Sequence, residues 1–190
     1  LEGLLRAGAA VRGRPSGGLR TTRGWDDLPD RALDALWSEF AGSVGGATVR
    51  DGAMVRWRYG DPARYEAVGV WAGERLRGWA VIRVPSRATS GRLQGVSVAS
   101  LSDLLFPVDD PAVGCAVVRA AERVAAALDA DAVLCSGSHP ALADVLARRS
   151  FLPLPGNVHF MARNDEARSF PRPFESWWLT RGDAQSDGAF

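Results

Sequence analysis

Apolar residues recur along this chain with two different periods, and the switches between them lay out the elements. Leu33, Leu36, Trp37 and Phe40 stand at i, i+3, i+4 and i+7, which predicts a helix with one buried face, stopped near Gly42. Asp51 is placed to cap a second helix carrying Met54 and Trp57 and ending near Gly60, with Trp57 expected between that helix and a sheet. Two runs rich in aromatic and β-branched residues, 64–72 and 75–84, flank Ala72-Gly73-Glu74-Arg75 and predict an antiparallel hairpin. The centre of the chain is 96–128. Val96, Val98, Leu101, Leu104, Leu105 and Phe106 predict a strand covered on both faces and ended by Pro107. Asp110 can cap the next helix, Pro111 can open it, and Val113, Val117, Ala120, Ala121, Val124 and Leu128 form its inner stripe. Residues 131–138 supply a further strand, parallel to the first, which completes a crossover unit.

The remaining segments are weaker in pattern. Ser138 or His139 starts a helix with Leu142, Val145 and Leu146 inward, and 157–163 alternates as a strand. Trp177 to Thr180 read as a last short strand, with one of the two indoles packed inward, followed by a frayed tail. Residues 1–24 are rich in Arg, Gly and Ser. Apart from a short strand or helical turn around Leu4 to Val11, they read as a linker or arm. The organisation expected is therefore an arm over 1–24, a mixed α/β core over 25–163, and a polar loop, short strand and tail over 164–190.

Composition narrows the functional classes. The chain has 190 residues, 46% of them apolar, enough for one domain with a real core. A formal net charge of +1 gives no global field for nucleic acid or an anionic membrane. No run is long and apolar enough to span a bilayer, and no leader pattern is visible. All 23 basic residues are Arg, which fits GC-rich codon usage better than a functional choice. Cys115 and Cys135 fall in a predicted helix and a buried strand and read as free thiols, consistent with a cytoplasmic protein. Two His and two Cys without ligand spacing predict no metal site. No serine sits on a recognisable nucleophile turn. Arg181-Gly182-Asp183 spells an adhesion tripeptide, read here as chance.

The order of elements, together with Arg50-Asp51, Trp57-Arg58-Tyr59, Tyr65, Gly78, Val81, Ser102 to Leu105, His139-Pro140, Phe151 and the closing Trp178 to Asp183, resembles the GNAT superfamily of acyl-CoA-dependent N-acetyltransferases. The likeness covers about 25–180 and is closest to the C-terminal half of longer bacterial members. It implies a mixed sheet whose central parallel strands splay apart. In that family the gap takes the pantetheine arm of acetyl-CoA, and the following helix N-terminus takes the diphosphate. Carried over, the cofactor-binding residues are Phe106, Val108, Val113, Gly114 and Ala116. The family's loop pattern is kept at Gly114 and Ala116. Its first position is Pro111, which lacks an N–H, beside Asp109 and Asp110. The tyrosine that protonates the leaving thiolate in many members is replaced by Leu146, and the Gly-Phe that ends the last core helix is Ser150-Phe151.

The chemistry left to such a site is acyl transfer to an amine, which needs a positioned thioester, a polarised carbonyl and a base. Asp103 and His139 sit near the ends of the two central strands and are the catalytic candidates, with Ser136 and Ser138 beside them. Two functions are expected. The chain is an N-acetyltransferase moving an acyl group from acetyl-CoA, or another acyl-CoA, to a small or peptidyl amine. Alternatively it is a catalytically silent GNAT-like module that pairs with an active half or a second copy. In either case the acidic turn, rather than lack of space, is expected to limit cofactor binding.

Overall fold

A computed structural model describes residues 2–7, 18–89, 93–154 and 174–184, the first stretch by its backbone alone. Its strands are β1 (Glu2–Ala7), β2 (Leu19–Arg23), β3 (Gly46–Ala47), β4 (Tyr65–Ala72), β5 (Arg75–Arg87), β6 (Ser97–Leu105), β7 (Ala132–Gly137), β8 (Leu152–Leu154) and β9 (Trp177–Trp178). Its helices are α1 (Asp30–Phe40), α2 (Gly52–Tyr59), α3 (Pro111–Ala127) and α4 (Pro140–Arg148). Seven strands form one sheet in the order β2-β4-β5-β6-β7-β1-β8, and β3 pairs with β9 alone. Among the described residues only β6 and β7 are parallel within the large sheet, joined by α3, so the mixed α/β architecture expected from the pattern is the one observed.

Local chemistry accounts for most boundaries. Asp110 caps α3 by accepting the Val113 N–H at 3.1 Å, and Pro111 opens the helix. Asp51 does the same for α2 through Met54 N at 2.8 Å. The β4–β5 hairpin turns on Gly73, whose φ of 60° suits a glycine at the first position of a two-residue loop. Helix α3 lies on one face of the sheet, where Gly78 makes room for Val113 and Val117. Helices α1 and α2 lie on the other face. Cys115 and Cys135 are free, and burial raises both thiols, Cys135 to about 12.

Three expectations are corrected. Helix α2 buries Gly52, Val55 and Tyr59, which puts Trp57 on the opposite face with 77% of its surface exposed. Residues 19–23, read as linker, form β2, an edge strand on β4, and the short strand or turn expected around Leu4 to Val11 is a strand at Glu2–Ala7, β1, that lies between β7 and β8. In β2 only Leu19 and Thr22 are half-buried, so no apolar alternation advertises it. The start of the stretch expected to fray is a 3-10 turn, Arg181–Asp183, with Arg181 and Gly182 buried. The strand expected over 157–163 lies outside the described residues.

Candidate functional site

The central parallel pair diverges. Pairing between β6 and β7 runs only from Val98–Ala132 to Leu101–Cys135, although β6 continues to Leu105 and β7 to Gly137. The cause is visible on the other edge of β6. Val81 pairs with Asp103 and Ile82 with Leu101, so Ser102 is an extra residue. A bulge of this kind bends its strand, here at the point where the β7 ladder stops.

The wedge so formed is filled by the chain itself. The segment from Trp177 to Asp183, called the strap below, passes between the diverging ends. Its backbone bridges β7 at Gly137–Thr180, and Ser138 N donates to Leu179 O at 3.1 Å. Ser138 Oγ donates to Trp177 O at 2.6 Å and accepts from Leu179 N at 3.0 Å. On the β6 side, Trp178 is fully buried and its indole N–H donates to Leu104 O at 3.0 Å. The Trp178 ring meets Phe40 and Phe106 edge-on, each at 5.1 Å between centroids, and lies 5.4 Å from His139. Trp177 is the half-buried indole of the pair and lies over Gly46 of β3, where a Cβ would come within 2.8 Å of its ring.

A buried ionic cluster fixes the far end of the strap. Asp103 Oδ1 accepts from Arg50 Nε at 3.0 Å, Thr180 Oγ1 at 2.9 Å and Leu104 N at 2.9 Å, and Oδ2 accepts from Tyr59 at 3.3 Å. Arg50, only 1% exposed, also donates to Asp183 Oδ2 at 2.6 Å and to Thr48 O at 2.9 Å. Asp183 closes a capping box by accepting the Thr180 N–H at 2.7 Å. Burial works against the Arg50 charge, but Asp103 and Asp183 outweigh it and hold the guanidinium above its ordinary value. Burial raises the Asp103 carboxyl, opposed by Arg50 and by the Thr180 hydrogen bond. Burial, then Asp103, pushes the Tyr59 phenol up. Arg50, Tyr59, Thr180 and Asp183 were among the residues that carry the family likeness but had no part in the predicted site. The usable signal was Thr180-x-x-Asp183, a capping-box spacing in what looked like a loose tail.

Three of the residues predicted as a site, Asp103, Phe106 and His139, meet on the strap. Asp103 is bonded to Thr180, while Phe106 and His139 pack on Trp178. Among the described residues no hydrogen bond joins Asp103 to His139. His139 caps α4, its Nδ1 accepting from Ala141 N at 3.2 Å, and burial lowers its pKa, which keeps it neutral near pH 7. With Nδ1 accepting, the neutral ring carries its proton on Nε2. At the head of α3, Gly114 is buried, and a Cβ there would come within 2.7 Å of Val145 and 2.8 Å of Phe106. Val113 and Ala116 are buried too, and Val108 is half-buried against the core. Asp110 has two partners of its own, Val113 N and Arg77, the latter at 3.3 Å.

No family model matches the sequence, and no curated protein matches it. Among solved structures the chain is similar to an aminoglycoside acetyltransferase, meta-AAC0020, from an uncultured soil metagenomic sample, determined in complex with sisomicin. The TM-score is 0.53 at 14% identity, covering 78% of this chain and 97% of that one. A likeness at this identity speaks to the fold, and together with the splayed β6–β7 pair it gives the chain a GNAT-like fold.

Proposed function

We propose that this chain is a GNAT-type module of an acyl-CoA-dependent N-acylation enzyme, and that it does not itself turn over. Its task is to pair with a GNAT half, elsewhere in a longer chain or in a partner, and to shape that half's amine-acceptor pocket. The observation that supports this reading is the filled wedge. Trp178 takes the space between Phe106 and His139, and Thr180 takes Asp103. An acyl-CoA would have to displace a fully buried indole, a large opposing term against any cofactor affinity. Asp103 is further committed to Arg50 and Tyr59, which leaves it poorly placed to accept a proton from an amine.

A second reading is kept because the strands do diverge and because Gly114 and Ala116 stand where small residues are wanted. In it the chain is an N-acetyltransferase using acetyl-CoA or another acyl-CoA. Phe106, Val108, Val113, Gly114 and Ala116 face the cofactor, and His139 and Asp103 handle the proton. The acceptor is a small amine or a peptidyl amine. The solved neighbour, an aminoglycoside acetyltransferase, favours the small amine.

Calorimetric titration of the intact chain with acetyl-CoA separates the two. The silent module gives no binding heat at millimolar ligand. Micromolar binding overturns it in favour of the acetyltransferase.

A further inference from the structure

We infer that the strap is a latch acting in cis, and that occupation of the wedge, rather than charge at the α3 turn, is what keeps acyl-CoA out. The inference rests on reading the β6–β7 wedge as the acyl-CoA slot of this fold.

The strap is attached on three sides. It pairs with β7 at Gly137 and Ser138, it pairs with β3 through Trp177 and Trp178, and it is clamped to β6 through Asp103 and Arg50. The clamp has a narrow tolerance at Gly182. A Cβ on that residue would collide with the Tyr59 hydroxyl and come within 2.9 Å of Ser102 O. Ser102 is the bulge residue that opens the wedge, so the strap is seated on the feature that creates its own site.

Four groups that line the wedge are in contact with the strap. Leu104 O accepts from Trp178, Asp103 accepts from Thr180, and the rings of Phe106 and His139 touch Trp178. Release of the strap uncovers Leu104 O and the rings of Phe106 and His139 together and removes one of the donors to Asp103. The turn, by contrast, is less hostile than its sequence. Asp110 is spent on the Val113 N–H and on Arg77, leaving Asp109 as the exposed carboxylate. On this inference the limit lies in the wedge rather than in the acidic turn expected from the sequence.

Affinity for a slot that is open only part of the time falls in proportion to the open fraction, so loosening the latch must raise it. The test uses four chains: the unaltered one, Gly182→Val, Thr180→Ala, and Asp109→Asn with Asp110→Asn. Hydrogen exchange over 177–184 reports release of the strap, circular dichroism reports the sheet, and titration with coenzyme A reports the slot. Gly182→Val is expected to speed exchange in the strap and raise coenzyme A affinity about tenfold or more, with Thr180→Ala showing a smaller rise in both. The Asn pair is expected to change affinity by no more than about twofold. If Gly182→Val does not fold, Thr180→Ala, which removes one hydroxyl, carries the comparison alone.

Equal binding by the unaltered chain and the strap variants would overturn the latch while leaving the slot reading intact. A released strap on a preserved sheet with no gain in binding would overturn both. A gain from the Asn pair alone would return the limit to the turn.

Discussion

Replacing Trp178 with alanine removes the side chain that fills the wedge. The ring is fully buried, in contact with Phe40, Phe106 and His139, and its N–H satisfies Leu104 O. A buried tryptophan hides about 150–250 Å². At about 25 cal/mol per Å² that corresponds to roughly 4–6 kcal/mol, an upper bound because the unfolded chain is not fully extended. Truncation of large aromatics in cores costs about 3–5 kcal/mol, and the abandoned carbonyl adds a fraction more. A loss of about 4 kcal/mol is expected, which for a domain of this size lowers Tm by about 8–16 °C. Trp57→Ala is the internal control. With 77% of that residue exposed, its loss should stay within about 0.5 kcal/mol. Urea unfolding followed by circular dichroism measures both. A Trp178→Ala loss below about 1 kcal/mol would mean the indole does not sit in the wedge. A Trp57→Ala loss above about 2 kcal/mol would mean α2 is turned the other way.

Arg50→Leu leaves two carboxylates buried without their cation and should cost about 3–5 kcal/mol, whereas Arg50→Leu combined with Asp103→Asn and Asp183→Asn should recover part of it; denaturant midpoints of the two chains decide. Gly114→Val pushes a side chain against Val145 and Phe106 and should cost about 1–3 kcal/mol by thermal melting, whereas an unchanged midpoint would point to an open cradle at the head of α3. His139 has its pKa lowered by burial, so below its ordinary value of 6.5 the unfolded chain binds more protons than the folded one. Stability should therefore fall as pH drops below about 6.5 and level off beneath the depressed folded pKa; Asn at 139 caps without titrating and should remove that component from urea midpoints at about pH 7.5 and about pH 5.

The parts of this fold that were legible in the sequence are those whose signal is local. Asp51, Asp110 and Pro111 mark helix starts through geometry that needs no distant partner, and the stripe from Val113 to Val124 faces the core as its period requires. Trp57 shows where that reasoning fails. In an eight-residue helix, Val55 and Tyr59 define the buried face as readily as Met54 and Trp57, and size alone favoured the wrong pair. The short strand at Trp177–Trp178 with one indole inward was legible, but where the strap seats was not, for a different reason. Its strand is two residues long, its partner β3 is two glycine- and alanine-bearing residues about 130 positions away, and its clamp reaches back to Arg50. None of these contacts leaves a period. Asp103, Phe106 and His139 meet because they lie at or just beyond the ends of β6 and β7, but their shared neighbour is about 40 or more positions further along the chain. That neighbour gives Asp103 and His139 partners in the fold beside the catalytic part proposed for them.

The most direct measurement is the exchange rate of the Trp178 indole proton in the intact chain. If the strap fills the wedge, that proton exchanges only when the strap opens. An opening cost of about 4 kcal/mol implies slowing by a factor of about 10³ relative to the exposed Trp57 indole. Exchange of the two indoles at similar rates would mean the wedge stands open, and the account of a self-closed module would fall with it.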